Sequence, residues 1–322
     1  LVHRGIELRF AGAGHHIAFD ALVGRAIWIY GQQDVVKDLI AARLAHDGPI
    51  LFEAEALGLG DLDTASPVVH YRHAGAEHTL RCDVVAGCDG FHGVSRRAMP
   101  AGVLREYVHD YPFAWLGILA AVAPSTEELI YASHERGFAL HSLRSPEVSR
   151  LYLQCAPDDR IGHWPDRRIW DEMHRRFERP GWALREGPVI EKGITSMRSY
   201  VAEPMQYGRL FLAGDAAHIV PPTGAKGLNL AIADVRMLAH GLIACFAGEG
   251  VPALDGYTAA CLRRVWKVMH FSWWMTSMLH LVPDDPSGTQ RRLQLAQLDY
   301  VTSSTAASAS LAEQYTGLPL DG

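Results

Sequence analysis

The sequence is poor in cysteine and has no surplus of basic residues. Its five cysteines form no C-x-x-C pair, and a chain of 322 residues is too long to need disulfide bonds for its stability. We therefore expect reduced thiols and a cytoplasmic location. The formal net charge is −6, with lysines and arginines scattered along the chain, which argues against a nucleic-acid partner.

Metal-binding spacings, long apolar runs and one glycine motif are also missing. The seventeen histidines show no H-E-x-x-H spacing, so we expect no metal site. No apolar run approaches the ~20 residues of a membrane span, and the aromatic stretch Phe271–Met275 is far too short, so we expect no membrane anchor. No G-x-G-x-x-G follows a strand, so the usual dinucleotide-binding turn is not found in this sequence.

The chain is organised around a strand, an acidic turn and a helix in its last third. The apolar run Leu210–Ala213 stops at Gly214-Asp215, as a buried strand does at the carboxyl edge of a sheet, where ligands of open α/β sheets bind. Pro221–Gly224 then forces a turn, and apolar residues at helical spacing predict a helix after it. The free N–H groups at that helix start, around Gly227–Asn229, predict a site for a group that carries or acquires negative charge.

A second acidic turn follows the predicted buried strand Cys82–Gly87. Asp89-Gly90 ends that strand, and Phe91–Arg97 is predicted to open a short helix. His92 and Arg96 in its first turn would suit an anion. The alternative is an ordinary solvated arginine on the surface.

Short apolar strands succeed one another between Pro112 and Gln154 without intervening helices, which predicts an antiparallel sheet and a second layer or domain. Alternation along a strand puts Ser142 and Arg144 on one face, and likewise Arg150 and Tyr152. A guanidinium flanked by hydroxyl groups suits a carboxylate, because its planar fork can donate two parallel hydrogen bonds. Taken singly, each of these residues is more simply explained as an outward-facing polar side chain.

Helices dominate the remaining segments. We predict one helix over residues 164–177, and three more after the acidic-turn motif, over residues 225–246, roughly 254–281 and roughly 289–307. The second of these three carries a cluster of large apolar side chains: Trp266, Phe271, Trp273, Trp274 and Met275. Such a cluster is typical of a core or a subunit interface and indicates a homodimer.

Three motifs give the sequence a family resemblance. The run GDAAHIVPPTGAKGLNLA resembles the second flavin motif of the flavoprotein aromatic hydroxylases, the group A FAD-dependent monooxygenases. Asp89-Gly90 with its flanks resembles the family's Asp-Gly motif, and Glu313–Pro319 resembles its closing motif. The resemblance covers the whole chain and implies FAD as cofactor, NADPH or NADH as co-substrate and a small aromatic acid as substrate. It implies hydroxylation of 4-hydroxybenzoate to 3,4-dihydroxybenzoate through a flavin C4a-hydroperoxide.

The resemblance also implies roles for individual residues. The carboxylate of the acid would be bound by Ser142, Arg144 and Tyr152. The phenolic proton would pass along Tyr131, Tyr315 and His3, because a phenolate is a better nucleophile than a phenol, and the Pro222 carbonyl would face substrate and flavin. Contacts to the flavin would come from Gln32, Asp89, Gly90, Asp215, Leu228, Asn229, Arg150 and Trp115. Contacts to the nicotinamide nucleotide would come from His92, Arg96 and Arg198.

The implied fold is mixed α/β, with an incomplete Rossmann-like FAD-binding domain, an antiparallel-sheet substrate domain and C-terminal helices. The FAD-binding domain would comprise residues 1–108 and 204–245, the substrate domain residues 109–203, and a helical interface region residues 246–322. The first βαβ unit, which holds the ADP half of FAD in the family, has no counterpart in this sequence.

Two hypotheses follow, and a third is weaker. In the first, the chain is a flavin-dependent hydroxylase of 4-hydroxybenzoate, which the full set of substrate and proton-relay residues favours. In the second, it is a catalytically inactive remnant that binds aromatic acids and binds FAD poorly, which the missing glycine motif favours. The third, a flavoenzyme of the same fold acting on another ring, is weakened by the predicted carboxylate-binding residues. The sequence does not distinguish NADPH from NADH.

Overall fold

The computed structural model of the chain describes residues 1–320. Runs of β-branched and aromatic residues form strands between Val2 and Ile219. The predicted antiparallel strands and the predicted strand before Gly214 are present, and a hairpin turns at Ala74-Gly75. In chain order the strands are β1 Val2–His3, β2 Gly5–Phe10, β3 Ala13–Ala18, β4 Ile27–Trp28, β5 Glu55–Gly60, β6 Val68–His73, β7 Ala76–Arg81, β8 Val85–Gly87, β9 Arg105–Ala120, β10 Leu129–His134, β11 Gly137–Leu143, β12 Ser149–Cys155, β13 Val189–Glu203, β14 Gln206–Tyr207, β15 Leu210–Leu212 and β16 His218–Ile219.

Helices dominate the last third of the chain. In order the α-helices are α1 Phe19–Val23, α2 Gln32–Ala45, α3 Asp166–Arg176, α4 Gly227–Ala244, α5 Tyr257–Leu279, α6 Thr289–Ser303 and α7 Thr305–Thr316. The single helix predicted over residues 289–307 is wrong, because Ser304 separates two helices. Ser304 is the N-cap of α7, where its hydroxyl oxygen accepts the N–H of Ala307, and this side-chain acceptor favours a new helix start.

The helix predicted over Phe91–Arg97 is also wrong. Only Arg96–Ala98 is helical, as a single 3₁₀ turn. The Asp89 carboxylate accepts the backbone N–H and the hydroxyl of Ser95, each at 2.9 Å, so a side chain supplies the acceptor that helical carbonyls would otherwise provide. His92 and Arg96 therefore do not share the first turn of a helix.

The chain divides into two compact units, each assembled from separate stretches of sequence. The sheet unit comprises Leu1–Gly31, Tyr111–Met197 and Trp274–Gly322, and the motif unit comprises Gln32–Asp110 and Arg198–Trp273. These units differ from the predicted domains, since residues 1–31 group with the antiparallel sheet and not with the rest of residues 1–108. The mixed α/β fold class, with C-terminal helices, is confirmed.

The large sheet has two chemically different faces in the sheet unit. Its strand order is β16-β13-β9-β12-β11-β10-β2-β3. Ile130 and Leu151 belong to a buried core that includes Trp170 of α3. Because side chains alternate along a strand, neighbouring residues such as Tyr131 and Tyr152 lie on the opposite face, which we call the site face.

The acidic turn of the motif unit follows a short parallel strand pair. β15 pairs in parallel with β8 and antiparallel with β14. The core around these strands includes Phe211 of β15, Leu230 and Leu238 of α4, and Val265 of α5. Asp215 therefore follows the carboxyl end of a buried parallel strand, as predicted.

The stretch Gly227–Glu249, which contains α4, corrects the expectation about apolar length. It is long and apolar enough to cross a membrane by length and composition alone, a criterion that the core helix of a soluble protein also meets. On one side α4 buries Leu230, Ala233 and Leu238.

Candidate active site

Two buried tyrosines in the sheet unit form a hydrogen-bonded pair. The hydroxyl oxygens of Tyr131 and Tyr315 lie 2.5 Å apart, and the side chains are 1% and 3% exposed. Burial raises the pKa of Tyr131 well above its ordinary value and that of Tyr315 to about 12. Both hydroxyls therefore keep their protons at neutral pH. A proton can pass along the pair only if each hydroxyl accepts one proton while it gives up its own.

Contacts with α1 and the residues after it hold Tyr315 in place on α7. Its ring stacks on Phe19 of α1, with 5.1 Å between ring centroids. Just beyond α7, the carbonyl of Gly317 accepts a hydrogen bond from the Arg25 guanidinium at 2.9 Å. Segments from both ends of the chain thus place the second tyrosine of the predicted relay beside the first.

His3, the predicted third member of the relay, is a buried residue of the sheet unit. It lies on β1 opposite Ile27 of β4 and is 0% exposed. Among residues 1–320 neither of its ring nitrogens has a hydrogen-bond partner, so no direct hydrogen bond joins it to the tyrosine pair. Burial lowers the pKa of its imidazole, which is therefore neutral at pH 7 and able to accept a proton.

Two of the predicted carboxylate-binding residues, Ser142 and Tyr152, share the site face with Tyr131. Tyr131 of β10 lies opposite Leu140 of β11, and Leu140 lies opposite Tyr152 of β12. Ser142 of β11 and Arg150 of β12 form the next row. Residues that oppose each other across strands point to the same face, so the pairing brings these polar groups together.

Arg144 lies one residue beyond β11, in the hairpin that leads to β12. The prediction that it shares a strand with Ser142 is corrected, because the strand ends at Leu143. The N–H of Arg144 donates to the carbonyl of Val148 at 3.0 Å, which continues the pairing of the two segments by one more residue.

Tyr152 is held by its neighbours on β9 and β12. A Cβ at Gly117, which lies opposite, would come within 3.3 Å of the tyrosine ring carbon Cε1, so glycine leaves the space that the ring uses. The Trp115 ring centroid is 4.7 Å from that of Tyr152, and the Arg150 guanidinium carbon lies 5.4 Å from the Tyr152 ring. Trp115 and Arg150 were predicted to contact flavin, and in the sheet unit both contact Tyr152.

In the motif unit, Asp215 is an exposed carboxylate between the buried residues Gly214 and Ala216. Gly214 has a φ of 62°, and a Cβ there would lie 3.1 Å from that of Ala231 on α4. The backbone of the turn is thus packed against α4 while the carboxylate is exposed. A carboxylate accepts hydrogen bonds from hydroxyl groups, which the ribityl chain of FAD carries.

The start of α4 provides backbone donors close in sequence to this turn. Pro222–Gly224 forms a 3₁₀ turn, and α4 begins at Gly227. The first N–H groups of a helix have no acceptor within the helix, so Gly227, Leu228 and Asn229 present donors at its positive end. A Cβ at Gly227 would meet nothing within 4 Å, so this end has room for a ligand. The donors and the exposed acid fit FAD, whose pyrimidine end gains negative charge on reduction.

Asp234 of α4 was missed in the sequence analysis, yet it holds the acidic turn. It is 1% exposed, and one carboxylate oxygen accepts the N–H of Gly214 at 3.0 Å and lies 2.6 Å from Nε2 of His218. The sequence did contain a signal for this role, because Asp234 stands among the apolar residues of a predicted helix. A carboxylate buried there requires hydrogen-bond partners.

The remaining predicted flavin contacts lie in the motif unit. Asp89 and Gly90 follow β8, and Gly90 has a φ of 73°. Gln32 begins α2 and is exposed. No residue of α2 is buried within residues 1–320, so its apolar side chains stay at least partly exposed.

Arg96 and Arg198, predicted to bind the nicotinamide nucleotide, have partners within the motif unit. Arg96 donates to the carbonyl of Phe91 at 2.7 Å, and Arg198 donates to the carboxylate of Asp110 at 2.6 Å. Both guanidinium groups lie near the Phe91 ring, at 4.5 and 5.4 Å from its centroid. His92 is exposed beside Phe91. Their role in nucleotide binding stays a prediction.

Known sequences include relatives of this chain. The family described as "FAD binding domain" matches residues 1–272. The p-hydroxybenzoate hydroxylase of Acinetobacter baylyi is 43% identical over 323 residues, which cover 100% of this chain and 80% of that protein. The aklavinone 12-hydroxylase RdmE of Streptomyces purpurascens is 29% identical over 248 residues, which cover 71% of this chain and 44% of that protein.

Solved structures share the fold. The p-nitrophenol 4-monooxygenase PnpA from Pseudomonas putida superposes with a TM-score of 0.80 at 18% identity, over 99% of this chain and 82% of that one. Aklavinone-11 hydroxylase, solved with FAD and aklavinone, gives 0.72 at 23% identity, over 87% of this chain and 56% of that one. None of these matches supports the alternative of an inactive acid-binding remnant. The chain therefore belongs to the FAD binding domain family and is an FAD-dependent aromatic hydroxylase that uses a nicotinamide co-substrate.

Proposed function

We propose that the chain hydroxylates 4-hydroxybenzoate next to its phenolic oxygen, giving 3,4-dihydroxybenzoate. The observation that carries the proposal is the buried Tyr131–Tyr315 hydrogen bond, on the same sheet face as Ser142 and Tyr152. This face offers hydroxyl partners for a phenol together with donors for a carboxylate. The relative with 43% identity is a p-hydroxybenzoate hydroxylase, which supports this substrate.

The tyrosine pair serves to remove the phenolic proton. A phenol with a pKa of about 10 is protonated at neutral pH, whereas its phenolate is the better nucleophile at the ortho carbon. Tyr131 accepts the substrate's proton as it donates its own to Tyr315, and Tyr315 releases its own proton in turn, so neither tyrosine has to hold a lasting charge. His3 is the proposed next acceptor, and it has this capacity only above its lowered pKa, where the imidazole is neutral.

Ser142, Arg144 and Tyr152 bind the substrate carboxylate in this proposal. Each hydroxyl can donate one hydrogen bond, and the guanidinium can donate two in parallel. Tyr152 keeps its proton at neutral pH, because burial raises the pKa of its hydroxyl. Fixing the carboxylate orients the ring, which lowers the entropy cost of the reaction.

Asp215 and the first residues of α4 bind FAD, which when bound supplies the redox and oxygen-transfer chemistry. The carbonyl of Pro222, in the motif unit, accepts the backbone N–H of Ala225 at 2.9 Å, and its role beside the substrate stays a prediction. We also propose a homodimer, which the exposed Trp266 and Trp273 support, and a cytoplasmic location, which the five free thiols support.

The test is titration of the purified protein with FAD, with and without 4-hydroxybenzoate, followed by flavin fluorescence and the visible spectrum. We expect FAD to bind and its spectrum to change when the acid is added. NADPH or NADH should then drive formation of 3,4-dihydroxybenzoate. Binding of FAD without any response to 4-hydroxybenzoate would contradict the substrate.

Tyr315→Phe tests the tyrosine pair itself. The variant keeps the ring but removes the hydroxyl that receives the proton, so we expect 4-hydroxybenzoate still to bind while the hydroxylation rate falls about 100-fold. Tyr71→Phe, on the β6–β7 hairpin of the motif unit, is the matched control and should keep the wild-type rate. An undiminished rate in Tyr315→Phe would refute the relay.

A further inference from the structure

We propose that His280 is a positioning residue for the carboxylate-binding site: its neutral imidazole accepts the indole N–H of Trp115 and so sets Trp115 against Tyr152. The inference rests on the proposed function, in which Tyr152 binds the substrate carboxylate. His280 directly follows α5, is 0% exposed and belongs to the sheet unit, as do Trp115 and Tyr152. The proposed role does not require His280 to contact the substrate.

The hydrogen-bond partners of His280 fix its protonation state. Its Nε2 lies 2.6 Å from Nε1 of Trp115, and its Nδ1 lies 3.0 Å from the carbonyl oxygen of Thr276. An indole N–H only donates and a carbonyl only accepts, so the imidazole carries its proton on Nδ1 and presents a lone pair at Nε2. Burial lowers the pKa of His280 to about 3, so this form persists throughout the working range of pH.

Aromatic rings fix the orientation of the imidazole. It stacks on Phe113 with 4.6 Å between centroids and 7° between planes, and on Phe138 with 4.2 Å and 30°. Trp115 also stacks on Phe138, with 5.3 Å between centroids. The acceptor nitrogen of His280 therefore has one position, and the indole that donates to it has one preferred orientation.

Trp115 passes this orientation to Tyr152. The two rings are 4.7 Å apart at an angle of 47°. On the same strand as Trp115, a Cβ at Gly117 would lie 3.3 Å from the Tyr152 ring, so the backbone there also limits where the ring can go. If the indole turned, Tyr152 would gain freedom and its hydroxyl would no longer be held for the carboxylate.

The experiment compares two substitutions of His280 by calorimetric titration of the FAD-loaded protein with 4-hydroxybenzoate. His280→Leu removes the acceptor, and we expect about tenfold weaker binding. The side-chain oxygen of His280→Gln can accept the same hydrogen bond, so its affinity should stay within about threefold of the wild type. Trp115→Phe removes the donor and should cause the same loss as His280→Leu, with no further loss when the two are combined.

His141→Leu is the matched control. His141 is also 0% exposed, and its Nε2 accepts the N–H of Ser125 at 3.1 Å, but it lies on the α3 face of the same sheet. We expect this variant to lose thermal stability and to keep its affinity for 4-hydroxybenzoate. A purely structural role for His280 would instead give His280→Leu and His141→Leu the same affinity.

Each other outcome also decides the matter. Unchanged affinity in His280→Leu, or a full additional loss when it is combined with Trp115→Phe, overturns the inference while leaving the proposed function intact. Should His280→Leu not fold, unchanged affinity in Trp115→Phe overturns it equally. A wild-type protein that binds FAD but not 4-hydroxybenzoate overturns the proposed function, and the inference falls with it.

Discussion

Buried side chains near the predicted sites have pKa values shifted towards their neutral forms. Tyr131 and Tyr315 keep their protons because burial raises their pKa, and His3 and His280 stay without a second proton because burial lowers theirs. Neutral groups can exchange hydrogen bonds without creating an isolated charge in a medium of low dielectric constant. This property suits both a proton relay and a fixed hydrogen-bond acceptor.

Lys226 of the motif unit differs, because it is cationic at neutral pH although it is only 9% exposed. It is the N-cap of α4, and burial lowers its pKa from 10.5 to about 8. Between these two values the unfolded chain binds more protons than the folded chain, so the free energy of unfolding rises with pH. Below pH 8 both states are protonated, and the full cost of burying the charge is present.

We therefore expect Lys226→Met to raise the free energy of unfolding at pH 7 by up to about 3 kcal/mol. The advantage over the wild type should shrink as the pH rises from about 8 towards 10. Urea unfolding of both proteins at pH 7, 8.5 and 10 measures this difference in the free energy of unfolding. Lys37→Met, at an exposed position of α2, should show no such pH dependence. Parallel pH profiles of Lys226→Met and the wild type would contradict the argument.

At the scale of elements, α4 holds the acidic turn through Asp234. Asp234→Ala would leave the Gly214 N–H and the His218 ring buried without their acceptor, and we expect the free energy of unfolding to fall by about 3 kcal/mol. FAD binding should weaken as well, because the turn that carries Asp215 loses its support. Urea unfolding and FAD titration measure the two effects. Asp255→Ala, at an exposed position, is the control, and full FAD affinity in Asp234→Ala would be the contrary result.

Strand β9 positions Tyr152 through the absence of a side chain at Gly117. In Gly117→Ala the new methyl group would lie 3.3 Å from the tyrosine ring, which must then shift. We expect about tenfold weaker binding of 4-hydroxybenzoate in a titration. Gly193→Ala on β13 is the matched control, since a Cβ there meets nothing within 4 Å. Equal affinities of the two variants would show that Gly117 has no such role.

At the scale of the whole molecule, α5 carries large apolar side chains that are partly exposed. Trp266 is 39% and Trp273 is 46% exposed. We propose that they pack in a homodimer. The double variant Trp266→Ser/Trp273→Ser then loses about 2 kcal/mol of dimer stability for each tryptophan that is no longer buried. Sedimentation velocity should show a shift from dimer to monomer. Leu80→Ser, at a residue of β7 that is 53% exposed, should leave the dimer intact. A wild-type monomer would contradict the proposed homodimer.

Local sequence signals predicted most of the elements. The alternation of apolar residues predicted β10 to β12, and the Leu210–Ala213 run with its proline-glycine turn predicted β15 and α4, because these periods depend on neighbouring residues only. Predictions failed where a side chain competed with the backbone. Asp89 binds Ser95 in place of the helix predicted over Phe91–Arg97, and Ser304 starts a new helix inside a predicted one.

The sequence by itself determined the strand and helix periods, the acidic turn and, through its motifs, the set of candidate site residues. The tertiary structure decided which of them meet. It joined Tyr131 to Tyr315, 184 residues away, and Trp115 to His280, 165 residues away, and it grouped residues 1–31 with the antiparallel sheet. The physical reason is that propensity and periodicity arise from short-range sterics and hydrogen bonds, whereas contacts between distant residues depend on how complete elements pack their buried faces.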